Sequence, residues 1–194
     1  MTDLAAYWPP GQPAALRDRL RAAYADPARG YHDLLHLTEV LTHVDELMVP
    51  DDPQRDAVLL AAWFHDAVYD GRGDDEERSA QLAADSLGDS PLGREVARLV
   101  RLTATHRPAD EDHAGQVLCD ADLGILAADP ARYAAYTAGV RREYAHVPDT
   151  EFAAGRATVL RALLAKPTLF HTDRARERWE ARARANIEAE LAVL

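Results

Sequence analysis

The sequence predicts an all-α, single-domain fold. Apolar residues recur at spacings of three and four along most of the chain, helix-start signals punctuate it, and the alternating β-branched runs of strands are missing. At 194 residues, 47% hydrophobic and 28% charged, the chain has the composition of one ordinary globular domain with a substantial core and room for a pocket. Residues 1–12 read as a lead-in held loosely against that domain.

Helices are expected at about 13–25, 33–48, 53–69, 75–87, 91–106, 129–145, 149–165 and 173–192, with a short helical piece at about 119–127. In the second, Leu37, Val40, Leu41, Val44, Leu47 and Met48 make one apolar stripe, with Thr38, Glu39 and Asp45 outside it. Three starts carry an acid or hydroxyl cap followed by proline in the first turn: Asp52-Pro53, Ser90-Pro91 and Asp129-Pro130. In the third helix, Leu59, Ala62 and Asp66 share a face, as do Val58, Ala62 and His65, which directs His65 and Asp66 to the core side. The polar connections 71–75 and 107–115 are lid candidates. The last helix mixes Arg and Glu around Trp179, Ile187 and Leu191, the pattern of an amphipathic surface helix.

The formal net charge of -11 argues against a nucleic-acid polymer as partner and leaves a small anionic substrate open, bound through local positive charge. No apolar stretch approaches the roughly 20 residues of a membrane span, and the start lacks a secretory pattern. The expectation is a cytoplasmic protein with no membrane partner, and a homodimer is the default oligomer. The single cysteine, Cys119, excludes both an internal disulfide and a Cys-rich zinc site, so any metal must be held by His and Asp.

His65-Asp66 stands inside the apolar run Leu59 to Tyr69. A buried carboxylate needs a cation or strong hydrogen-bond partners. His32 and His36 upstream, and Asp120 and Asp122 downstream, are candidate co-ligands, and imidazole with carboxylate suits a borderline divalent metal. HxxxH alone is a common incidental pattern. If Asp33 caps the second helix, His32 precedes it, leaving His36 as ligand and His32 free to meet substrate. The 29-residue gap from His36 to His65 spans a helix, a turn and a second helix, which makes the two positions antiparallel neighbours.

The ordered His, His-Asp and Asp resemble the HD superfamily of metal-dependent phosphohydrolases. The likeness is strongest to an uncharacterised bacterial branch and rests on Arg29-Gly30-Tyr31-His32-Asp33-Leu34-Leu35-His36, Ala61 to Tyr69, Asp74-Asp75-Glu76-Glu77-Arg78-Ser79-Ala80, Cys119-Asp120-Ala121-Asp122-Leu123 and Phe152-Ala153-Ala154-Gly155-Arg156. Asp33 and Asp75 depart from the asparagines of that pattern and are expected to add negative charge near the site. The resemblance implies an HD-like helical bundle with His36, His65, Asp66 and a downstream Asp as ligands, Asp122 ahead of Asp120. The Tyr31-His32 to His36 segment also resembles that of cyclic-nucleotide phosphodiesterases, which implies that His32 protonates the leaving oxygen.

The chemistry is coherent with one divalent ion or two, drawn from Mn, Mg, Co, Ni, Fe or Zn, activating water for attack on a phosphate ester, a nucleotide being the expected substrate. Asp66 would orient that water and His32 donate the proton. Arg29 is the first choice for a phosphate clamp. His106 stands where a helix must end, and it serves either that end or a phosphate or second ion. Glu76 and Ser79 sit where they can approach the water, or simply start a helix. Arg156 and Lys166 are within reach of a phosphate, although a solvated helix face is the commoner reason for such residues. Tyr133, Tyr136 and Tyr144 read as packing. The rival readings are a di-iron oxygenase on the same His/Asp frame and a nucleotide- or metal-binding sensor without turnover.

Overall fold

The computed structural model describes residues 3–71 and 73–194. Among them are nine α-helices and no strand: α1 (Ala14–Tyr24), α2 (Leu34–Leu47), α3 (Arg55–Phe64), α4 (Asp75–Leu87), α5 (Pro91–Leu102), α6 (His113–Leu123), α7 (Pro130–Glu143), α8 (Asp149–Leu164) and α9 (Asp173–Leu191). Short 3-10 turns cover Leu4–Tyr7 and Gly124–Ala127.

The starts follow cap chemistry. Asp33 accepts hydrogen bonds from the N–H groups of Leu35 and His36, Ser90 from Gly93, and Asp129 from Ala131 and Arg132. At Asp52-Pro53 the acid caps a turn first, accepting from Gln54 N–H, and α3 begins at Arg55. Helix α6 starts earlier than expected, inside the polar 107–115 segment, because Asp112 accepts from Gly115 N–H.

Helices α2, α3 and α6 pack together at the centre, with α5 against α3 and α6 and α4 paired with α5. Helix α9 lies over the 124–127 turn, and α8 rests on α9. The α2 stripe is buried as its spacing requires, and all of α3 from Ala57 to Phe64 is enclosed. Trp63 and Phe64 are fully buried, and a side chain of that size contributes about 2–3 kcal/mol through loss of contact with water. The lead-in is docked rather than loose over its described part: Trp8 meets Trp63 edge-on at 5.3 Å, and Trp63 Nε1 donates to Tyr7 O at 3.4 Å. Met1 and Thr2 lie outside the described residues. Among the described residues no helix is long and apolar enough to cross a membrane.

Candidate metal centre

Helix α3 stops at Phe64, five residues short of the expected end, and the reason places the site. Beyond it the backbone finds other partners: Arg29 donates to the carbonyls of Asp66 (2.8 Å) and Ala67 (3.2 Å), and Val68 N–H donates to Ser79 Oγ (3.0 Å). His65 and Asp66 therefore sit on a fixed turn at the end of the most buried helix. His65 Nδ1 donates to Ala62 O at 2.8 Å, which sets its tautomer and leaves Nε2 for the site.

Asp33 caps α2, so His32 precedes the helix and His36 stands in its first turn. The Nε2 atoms of His36 and His65 are 3.0 Å apart. Asp66 Oδ2 lies 3.3 Å from His36 Nε2 and 3.0 Å from His65 Nε2, and Asp122 Oδ1 lies 3.3 and 3.6 Å from the same two atoms. His36, His65 and Asp66 form a group whose ligand atoms all fall within 4.8 Å of one another.

The separations among His36, His65 and Asp66 fit one ion. Atoms bonded at about 2.1 Å to one centre sit roughly 3.0 Å apart at right angles and roughly 3.4 Å apart at the tetrahedral angle. The electrostatics agree. Burial resists charge on His36, yet its hydrogen bonds to Asp122 and Asp66 carry its pKa up to about 10. Burial likewise opposes charge on His65, and attraction to Asp66 and Asp122 raises its pKa. Asp66 and Asp122 are held ionised despite burial, chiefly by His65. The two carboxylates create a field that calls for positive charge between them, which is what a divalent cation supplies.

Asp120 and Asp122 part company here. Asp120 is fully buried and accepts from His171 N–H, Thr172 N–H and the Thr172 hydroxyl at 2.7, 2.7 and 2.8 Å, fixing the start of α9. Asp122 turns to the histidines with Oδ1 and meets His106 Nε2 at 2.8 Å with Oδ2. His106 closes a turn after α5 in left-handed backbone, φ 49, the one described non-glycine residue with positive φ. Such a conformation is uncommon outside glycine, although histidine is among the residues that adopt it more often.

His32 is held by a residue that the sequence reading missed. Glu143 Oε1 accepts from the backbone N–H groups of Gly30, Tyr31 and His32 at 2.9, 2.7 and 3.0 Å, and Oε2 meets His32 Nδ1 at 2.8 Å and the Tyr69 hydroxyl at 3.2 Å. Burial works against its charge, but the His32 ring and these N–H groups outweigh it and bring its pKa down to about 2. An ionised Glu143 makes His32 Nδ1 the donor and leaves Nε2 as the working nitrogen. The approach depends on glycine: a Cβ on Gly30 would stand 2.3 Å from Gly139 O. The available signal was an acid in the last turn of α7, where the helix dipole disfavours it.

Several expected roles move. Arg29 is no phosphate clamp: its guanidinium is spent on the carbonyls of His32, Asp66 and Ala67 and lies over the Tyr24 ring. Glu76, in the first turn of α4, is not in the wall of the cavity beside the site. Ser79 braces Val68. Asp33 and the buried Asp75 spend their charge on backbone N–H groups, Asp75 on those of Asp70 and Gly71 and on Arg78. Of the 71–75 lid candidate, Arg72 lies outside the described residues. Cys119 is buried, and burial pushes its thiol up, away from reactivity.

A cavity of about 830 Å³ adjoins the group, with His32, His106 and Asp122 in its wall. Arg107, Arg156 and Lys166 also line it, and Arg156 is tied to Glu190 and the Tyr136 hydroxyl. The chain matches no family model, no curated protein and no solved structure. The fold and site define a class on their own: an all-helical protein with a buried His/Asp group able to hold a metal ion beside an open cavity.

Proposed function

We propose that the protein is a divalent-metal-dependent phosphohydrolase of the HD type that its sequence resembles, acting on a small phosphate ester. The observation that carries this reading is the His36, His65 and Asp66 group, with Asp122 Oδ1 3.3 and 3.6 Å from the two imidazole Nε2 atoms, next to a histidine backed by an ionised glutamate. His36, His65, Asp66 and Asp122 would hold the ion. When bound, such an ion lowers the pKa of a water toward neutrality and offsets charge on a phosphoryl oxygen.

The chain's own residues supply the rest. Asp66 accepts a hydrogen bond from the attacking water and aims it. The water oxygen bonds phosphorus, its proton leaves to solvent, and the ester P–O bond breaks as the departing oxygen takes the proton from His32 Nε2. Glu143 keeps that ring oriented through its hydrogen bond to Nδ1. Arg107 and Lys166 line the cavity and make no ion pair among the described residues, so they replace Arg29 as the cations for the phosphate.

The test is metal analysis joined to an activity panel. Expected are a bound divalent metal and metal-dependent phosphate release, both lost in His65→Ala and Asp66→Ala, while His32→Ala keeps the metal and turns over slowly. Full metal content in both His65→Ala and Asp66→Ala overturns the reading. Oxygen consumption would favour an oxygenase, and tight nucleotide binding without turnover a sensor.

A further inference from the structure

We infer that the non-reacting part of the substrate is an apolar body, an alkyl or aryl chain, rather than a nucleoside. For its phosphate end this rests on the phosphohydrolase reading, and for its apolar end it rests on the cavity beside the site.

Helix α8 presents a stripe at helical spacing, Phe152, Gly155, Val159, Ala162 and Leu163, all of which lines the cavity, while Phe152 and Leu163 also pack against the core. Leu126, Val140 and Val147 supply apolar wall from the 124–127 turn, α7 and the loop after it. The cavity opens to solvent, and its volume of about 830 Å³ is in the range of ligand pockets. Among the described lining residues none carries a side-chain amide, the group best suited to reading a base edge. The aromatic faces are already engaged: Tyr31 packs on Tyr136 at 4.6 Å, and Tyr144 stacks with His146 at 6.1 Å.

Two details point to an occupant. The Tyr31 hydroxyl is buried without a hydrogen-bond partner although Tyr31 lines the cavity, so it is available to a ligand oxygen. Gly155 sits within α8, where glycine is a poor helix former, yet a Cβ there would meet nothing within 4 Å. No close approach requires the glycine. What it preserves is space. The occupant is the substrate rather than a docked partner because the same wall includes His32, His106 and Asp122.

The experiment is calorimetric titration of the full chain with octanol, octyl phosphate and AMP, followed by the same titrations on Gly155→Trp and Ala162→Trp. Both positions face the cavity and Ala162 is exposed, so either variant fills the void without displacing core. Octyl phosphate is expected to bind at least about tenfold more tightly than AMP, and each Trp variant to weaken octanol and octyl phosphate by about tenfold, an effect a few buried methylenes supply. AMP binding more tightly than octyl phosphate, or octanol affinity unchanged in both variants, overturns the inference. The two readings fail separately. Octanol binding by a protein that releases no phosphate keeps the cavity assignment and removes the chemistry. Phosphate release with no preference for octyl over methyl phosphate does the reverse.

Discussion

Helices α3 and α8 both border the site, and they are built to opposite specifications. Helix α3 buries eight of its ten residues, whereas α8 buries two of sixteen, Ala157 and Leu160. The first ends in His65-Asp66 and is gripped on every side, which holds the His65 and Asp66 side chains 3.0 Å apart and in place. The second is anchored along α9 and offers its other face to empty space. Tight packing fixes the His/Asp group, and in the proposed reaction sparse packing would leave room for the substrate.

The largest expected effect falls on the α3 side. Trp63→Ala should cost about 3–5 kcal/mol in urea unfolding because a fully buried indole leaves a void. A cost below about 1 kcal/mol would break the contrast. Asp120→Ala should cost about 3 kcal/mol by orphaning three donors at the start of α9, and the folded protein should keep its metal. Asp122→Ala should lose the metal.

Glu143→Gln should keep the metal and lower turnover about 10²-fold, read from kcat at saturating substrate. Its pH signature follows from a depressed pKa. With an ordinary value of 4.5 and a folded value of about 2, ionised Glu143 adds stability that is present above about pH 4.5 and lost as pH falls toward 2. Glu143→Gln should flatten the acid limb of a stability-versus-pH curve in that window. On the α8 side the effects are small and partly of opposite sign. Gly155→Ala should stabilise by about 0.5–1 kcal/mol, since its Cβ has room and the helix gains. Val159→Ala, at a position 54% exposed, should stay within about 0.5 kcal/mol in the same assay.

The helices and most of the His/Asp group were legible because they are written locally. The α2 stripe, the Ser90 and Asp129 caps and the His65-Asp66 pair all follow from spacing over a few residues, and the structure brings His36, His65, Asp66 and Asp122 together. The rest depends on long-range partners. Glu143 reaches His32 across 111 residues, and only the juxtaposed backbones of Gly30 and Gly139 let it do so. Arg29 had the right charge beside the right motif, but the Asp66 and Ala67 carbonyls left bare where α3 unwinds, together with that of His32 ahead of α2, claim it. Likewise the stripe on α8 has the periodicity of a core face, and periodicity alone does not say whether protein or ligand fills the other side.

Asp122 divides its two oxygens between neighbours, Oδ1 toward His36 and His65, Oδ2 toward His106 in the cavity wall. On the proposed reading, an ion drawn to the first oxygen and a guest that engages His106 would pull on one carboxylate from opposite ends. Their affinities are thermodynamically linked: whatever factor the cation imposes on the guest, the guest returns to the cation.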